Sequence, residues 1–291
     1  MNILVTGGLG YIGSNVVRKI LREGLAKKVL IVDNLSNSTE EVFRLLNEES
    51  GKTKLSLLKI NYELLNTYIL NEFDIDTIMH FAGSLIVEES VKDPLLYYKN
   101  NTGSTIELLI NTKNTSVKNF IFSSTAAVYK EKDDPVTEKD LTEPVSPYGE
   151  SKLMIEKVLR DFAAASELNY IALRYFNVAG CSNDMKYGQR GENATHLIKL
   201  AVEAAIGKRE SITIYGTDYD TEDGSCIRDF IHVEDLADAH ILALKNITDK
   251  QEIYNIGNGF GYSVKEVLNE IKRMRELTII EGNRRPGDIK K

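Results

Sequence analysis

Short apolar runs recur through the first part of the chain, at Ile3–Val5, Val29–Val32, Leu55–Leu58, Thr77–Phe81, Phe120–Phe122 and Tyr170–Leu173. Each reads as a buried strand. Between them the apolar positions fall at helical spacing, as in Ile12, Val16, Ile20 and Leu21, or Ile106, Leu109 and Ile110. This alternation predicts an α/β fold, a doubly wound parallel sheet of Rossmann type with helices on both faces. Such sheets bind ligands beyond the carboxyl ends of their strands, so reactive residues are expected just after each run.

From residue 176 the pattern loosens, and Tyr187–Ala194 and Gly216–Ser225 are rich in glycine and polar residues. They read as loops over a substrate. Helices are predicted at Leu197–Ile206, Val233–Leu244 and Val264–Arg273, with a strand at Ile253–Ile256. The division expected is a main domain over 1–175 and a smaller C-terminal substrate-binding lobe over 176–291, with the chain crossing back to the main sheet. The charged stretch Lys130–Asp140 reads as a solvated loop.

Composition narrows the function without naming it. The net charge is -7, from 36 Lys and Arg against 43 Asp and Glu, which argues against a nucleic-acid partner. Cys181 and Cys226 have no metal-ligand spacing and read as free thiols of a reducing compartment. No run approaches the ~18 apolar residues that a membrane span needs. Met1 leads straight into an apolar strand, without the pattern of a signal peptide. A cytoplasmic enzyme with no membrane partner and no metal is the expectation.

The first apolar run ends in Thr6-Gly7-Gly8-Leu9-Gly10-Tyr11-Ile12-Gly13. Glycines there permit a tight turn and let backbone N–H groups approach a pyrophosphate at a helix N-terminus. Asp33 ends the second run, twenty residues after Gly13, where a carboxylate accepts the ribose hydroxyl protons of a dinucleotide. That carboxylate repels a 2′-phosphate, and Asn34-Leu35-Ser36-Asn37-Ser38 offers no Lys or Arg to attract one, although Arg44 could fold back from the next helix. NAD is therefore the expected cofactor, bound by Gly7, Gly10, Tyr11, Ile12, Gly13, Asp33, Asn34 and Ser36. Phe81, Ala82 and Gly83, after the fourth run, would lie beside it, while His80 reads as a packed strand residue.

Tyr148 and Lys152 stand four apart at the start of a predicted helix, Pro147–Ala165, and so share one face. A phenol titrates near ~10 in water, and a neighbouring ammonium favours its phenolate, which makes a general base. Thr125 follows Ser123 and Ser124 at the end of the fifth run and offers a hydroxyl to hold a sugar oxygen where Tyr148 reaches it.

With these pieces assembled, the chain resembles the UDP-glucose 4-epimerases, a family of the extended short-chain dehydrogenase/reductase superfamily. The likeness runs from Asn2 to Asp288. Besides the glycine loop it rests on Ser146-Pro147-Tyr148-Gly149-Glu150-Ser151-Lys152, Leu173-Arg174-Tyr175-Phe176-Asn177-Val178-Ala179-Gly180, Arg228-Asp229-Phe230-Ile231-His232-Val233 and Arg284-Arg285-Pro286-Gly287-Asp288.

The resemblance implies inversion at C4 of a UDP-hexose through a transient 4-keto sugar, with Tyr148, Lys152 and Thr125 catalytic. It implies cofactor contacts from Ile60, Asn100, Ser123 and Tyr175. Substrate contacts would come from Phe176, Asn177, His196, Leu197, Tyr215, Arg228, Arg285 and Asp288, with the two arginines on the diphosphate. Ion pairs with Asp229 or Asp288 are the plainer role for those arginines. A homodimer through helices at Pro94–Asn114 and Pro147–Ala165 also follows from the resemblance.

The chain departs from the family in places. Lys59 replaces an Asp that accepts a hydrogen bond from adenine, which a Lys cannot do, so the backbone at Ile60 is expected to hold adenine and NAD retention to be weaker. Leu85 replaces a Lys found in some members. The chain stops at Lys291, before further family elements, and its C-terminal end reads as truncated, so tolerance of an N-acetyl group is not legible. A 4,6-dehydratase would need acid and base groups after Thr125, where Ala126 and Ala127 stand. Another NAD-dependent nucleotide-sugar epimerase, a decarboxylase or a non-catalytic NAD-binding protein stay open.

Overall fold

The computed structural model describes residues 1–191, 195–285 and 287–291. The end of the loop read at Tyr187–Ala194 and Pro286 of the Arg284–Asp288 motif lie outside the described residues.

The main sheet is parallel and has seven strands. They are β1 (Asn2–Thr6), β2 (Lys28–Val32), β3 (Lys54–Leu58), β4 (Thr77–His80), β5 (Asn119–Thr125), β6 (Asn169–Tyr175) and, much later in the chain, β10 (Gln251–Ile256), in the order β10-β6-β5-β4-β1-β2-β3. Successive strand residues face opposite sides, so each strand feeds two cores. Ile3, Val5, Val29, Ile31, Met79 and Ile121 join one, and Leu4, Leu30, Val32, Ile78, Phe120 and Phe122 the other. A strand buried on both faces reads as a continuous apolar run, which is why these strands stand out in the sequence.

Helices α1 (Tyr11–Arg22) and α2 (Glu40–Glu48) cover the first core together with α9 (Val233–Asn246), through Val16, Ile20, Leu46 and Ile241. On the opposite face lie α3 (Thr67–Glu72), α6 (Ser104–Thr112) and α7 (Pro147–Ala164), which contribute Leu70, Leu108, Ile155 and Leu159. Two short helices, α4 (Val87–Lys92) and α5 (Pro94–Tyr97), precede α6. The helix predicted over Pro94–Asn114 is interrupted by a π turn at Tyr98–Gly103 and ends at Thr112.

The remaining elements sit beyond the sheet's carboxyl edge. β7 (Asn177–Ala179) and β11 (Gly261–Ser263) flank β9 (Ile227–His232), while β8 (Ile212–Tyr215) pairs with β12 (Ile279–Gly282). Helices α8 (Leu197–Ala205) and α10 (Val264–Met274) bury Ala201 and Leu268 with Ile212, Ile214 and Leu277 in a small core of their own. Between these pieces the chain returns to the main layer, where α9 packs on α1 and β10 pairs with β6. β1 lies between β2 and β4, and the chain winds in opposite directions from it, which opens a crevice above their carboxyl ends.

Candidate active site

A cleft of about 1040 Å³ fills that crevice and runs on under the smaller lobe. Its wall contains every cofactor and substrate residue expected from the sequence, from Gly7 to Asp288.

At the near end, the glycine loop is shaped by close backbone approaches. Gly7 has φ +66°, and a Cβ there would stand 2.8 Å from the Ala82 nitrogen. A Cβ on Gly13 would meet the Gly7 carbonyl oxygen at 2.3 Å. Gly10 precedes α1 and supplies no side-chain cap, so the first N–H groups of that helix face the cleft without a side-chain partner, an arrangement that suits an anion. Asp33 is buried, its Oδ2 accepting from the Leu9 N–H (3.0 Å) and its Oδ1 from Leu35 N–H (3.0 Å) and the Ser38 hydroxyl (2.8 Å). These bonds fix the carboxylate and leave lone pairs for a diol. Arg44 does not fold back, because it pairs with Glu48 at 2.8 Å. Loop glycines, a fixed carboxylate and no basic side chain at 34–38 fit an unphosphorylated dinucleotide such as NAD.

Deeper in, the end of β5 meets the first turn of α7. Ser146 caps that helix, its hydroxyl accepting from Gly149 N–H at 3.2 Å, and Pro147 sits in the first turn. Gly149 touches the strand side so closely that a Cβ would lie 2.3 Å from the Ala127 carbonyl oxygen. This approach puts Tyr148 beside Thr125, and both line the cleft. Burial pushes the Tyr148 phenol above its ordinary value, and the Thr125 hydroxyl partly offsets this. That corrects the expectation of a phenol lowered by its lysine neighbour. The Lys152 ammonium donates instead to the Ser123 carbonyl (3.0 Å) and lies over the Phe122 ring, and burial lowers it to about 8. Tyr175 reaches the same place by a short hydrogen bond to the Ser123 hydroxyl. His80 is a packed residue, bonded to Thr6 (2.7 Å) and Thr105 (2.9 Å).

Asn100 donates to Ser84 at 2.9 Å, on the rim of the cleft. Its neighbour Asn101, which the sequence did not single out, is the more connected residue. Its Oδ1 accepts from Ser84 N–H (2.8 Å), and its Nδ2 donates to the Ser84 carbonyl and the Ser151 hydroxyl, both at 3.0 Å. It thereby ties the loop after Gly83 to α7. It sits on the π turn, and such turns are not legible in composition.

At the far end, Arg228 donates to the backbone carbonyls of Ile227 (2.7 Å) and Ile289 (2.9 Å). It does not pair with Asp229, which instead accepts from Asn258 N–H (3.0 Å) and Gly259 N–H (2.8 Å). Arg285 does pair with Asp288, at 2.9 Å, and lies 4.6 Å over the Tyr215 ring. Asn177 donates to the Asp229 carbonyl (3.3 Å), and His196 bonds Gln189 (2.6 Å). Residues of the stretch read as a solvated loop, Lys130–Asp140, form part of this wall: Glu131, Lys132, Asp134, Pro135 and Val136. Lys59 is turned outward to Glu40, at 2.8 Å, and does not line the cleft.

Comparison with known proteins agrees with this geometry. The model of the NAD dependent epimerase/dehydratase family matches residues 3–257. The chain belongs to that family. Among similar members, the UDP-glucose 4-epimerase of Azospirillum brasilense is 42% identical over 295 residues, covering 98% of this chain and 81% of its own length. That of Lactobacillus helveticus is 42% identical over 293 residues, covering 99% and 86%. The crystal structure of UDP-glucose 4-epimerase from Bifidobacterium longum in complex with NAD+ and UDP superposes with a TM-score of 0.94 at 36% identity, covering 99% of this chain and 88% of that one.

In family terms, the doubly wound sheet and the cofactor class expected from the sequence both hold. Among the described residues no cluster of His, Cys, Asp and Glu is arranged to hold a metal ion, and no helix is long and apolar enough to cross a membrane.

Proposed function

We propose that this protein is an NAD-dependent UDP-glucose 4-epimerase that interconverts UDP-glucose and UDP-galactose. The observation that carries the reading is that Thr125, Tyr148 and Lys152 share one wall of the cleft that begins at the glycine loop.

NAD, when bound, supplies a two-electron acceptor and donor that makes oxidation at C4 reversible. The glycine loop and Asp33 hold it. The Tyr148 phenolate takes the proton of the sugar 4-hydroxyl as the C4 carbonyl forms, and the Thr125 hydroxyl steadies the same oxygen. Burial raises the cost of a phenolate, and the Thr125 hydroxyl offsets part of it. Arg228 and Arg285 take the substrate diphosphate, a role that a guanidinium fork suits, while the hexose is left free to present its other face. Tyr148 then returns the proton. Ala126 and Ala127 have no group able to move a second proton, which disfavours dehydration.

We also infer a homodimer. Leu95, Leu96, Ile106 and Ile110 expose apolar surface on α5 and α6, and burying such a patch favours association. The unpaired cysteines support a cytoplasmic location.

The test is to incubate the purified protein with UDP-galactose, without added NAD, and to follow UDP-glucose. Conversion is expected, with Tyr148→Phe slower by roughly a thousandfold. No conversion even with NAD supplied would overturn the assignment.

A further inference from the structure

The outer end of the cofactor cleft carries a chain of oriented amides. Asn34 follows Asp33 beyond β2, Asn61 follows Ile60 beyond β3, and both line the cleft. The Ser36 N–H donates to Asn34 Oδ1 at 3.0 Å, so the Asn34 amide nitrogen faces the other way. That nitrogen donates to Asn61 Oδ1 at 2.8 Å. Asn61 is oriented in turn: its oxygen keeps one lone pair, and its Nδ2 has no side-chain or backbone partner among the described residues.

The position of this amide says what it faces. In a doubly wound sheet the loop after β1 takes the pyrophosphate and the carboxylate after β2 takes the adenosine ribose. The base then lies towards the end of β3, the neighbour of β2, where Val42 and Ile60 line the cleft with apolar surface. Lys59 takes no part, because its ammonium is paired with Glu40 outside the cleft.

We propose that Asn61, oriented by Asn34 and Ser36, reads the adenine ring of NAD. Its Oδ1 accepts from the 6-amino group and its Nδ2 donates to the adjacent ring nitrogen N1, a two-point carboxamide match of the kind that also serves adenine at its N6/N7 edge. A carboxamide able to turn over would serve a 6-oxo purine as well, since donor and acceptor simply exchange. The relay from Ser36 through Asn34 removes that freedom and selects the 6-amino base. This inference rests on NAD being the cofactor.

The experiment uses the purified protein and three variants at solvent-exposed or cleft-rim positions, Asn61→Ala, Asn34→Ala and Lys59→Ala. Each is dialysed to equilibrium against an equimolar excess of NAD and nicotinamide hypoxanthine dinucleotide, and the nucleotides released on denaturation are quantified by chromatography. Equilibrium dialysis against NAD alone gives the Kd. The wild type should hold NAD in preference to the hypoxanthine analogue by about tenfold, and Asn61→Ala should weaken NAD by roughly tenfold and lose the preference. Asn34→Ala should weaken NAD less than Asn61→Ala does yet narrow the preference, an effect that simple loss of structure would not give. Lys59→Ala should change neither. Unchanged affinity and preference in Asn61→Ala, or loss of both in Lys59→Ala instead, would overturn the proposal. A wild type that binds neither dinucleotide would remove the cofactor assignment itself.

Discussion

Lys152 is a buried ammonium without a carboxylate partner among the described residues, and this has consequences for both pH dependence and stability. Its value falls from 10.5 to about 8 because burial penalises the charged form. The unfolded chain therefore binds the extra proton between about 8 and 10.5, and the cost of burying the charge, fully present below about 8, fades as pH rises through that window. The shift corresponds to about 3 kcal/mol. Lys152→Met should thus raise Tm by a few degrees at pH 7, measured by thermal unfolding, while abolishing turnover. In the wild type, kcat should decline as pH rises past about 8, where Lys152, buried beside the reactive groups, loses its charge. Thr125→Val should lower kcat about a hundredfold and Thr125→Ser restore most of it, if the hydroxyl rather than the shape is what counts.

Helix α7 brings the reactive groups together through contacts made by the whole element. Gly149 sets its distance from the end of β5, so Gly149→Ala, with a Cβ 2.3 Å from the Ala127 oxygen, should push the two apart. The expected result is a loss of about 1–3 kcal/mol in urea unfolding and a fall in kcat larger than any rise in KM. One turn beyond Lys152, Glu156 is buried against Arg174 of β6 and accepts from Ser124 of β5. Arg174 also donates to the Tyr129 hydroxyl, which bonds Asn255 of β10. Removing one partner leaves a buried charge, so Glu156→Leu should cost about 3–5 kcal/mol, and adding Arg174→Met should recover much of it. A double-mutant cycle in urea checks this. Glu156 and Arg174 both stand in plain view in the sequence, but nothing there says that they meet, because they belong to different elements eighteen residues apart.

Among the exposed apolar side chains of the molecule, Leu95, Ile106 and Ile110 lie on helices beside α7. Leu95→Glu combined with Ile110→Glu should give a monomer by light scattering, where the proposed dimer is expected of the wild type, and should make Tm independent of protein concentration. A wild type that is already monomeric would remove the dimer reading. The same helices carry Asn100 and Asn101 on their π turn, so a loss of activity on dissociation would be felt through the Ser84 loop.

The main sheet was legible because parallel strands buried on both faces must be continuously apolar, and the glycine loop because its backbone approaches exclude a Cβ. Tyr148, Lys152 and Asp33 were legible because helical spacing and strand-end position are local properties. The strands β7, β8, β9, β11 and β12 were not, since elements of three to six residues at the edge of a small sheet carry too little periodicity. The bond of Arg228 to Ile289, the place of Glu131, Lys132 and Asp134 in the cleft wall and the Asn34–Asn61 relay depended on folding, for each joins residues far apart in the chain across a gap that only packing closes. Chain order carries the periodicity that makes elements, whereas the direction in which a polar side chain spends its hydrogen bonds is set by whatever the finished fold places beside it.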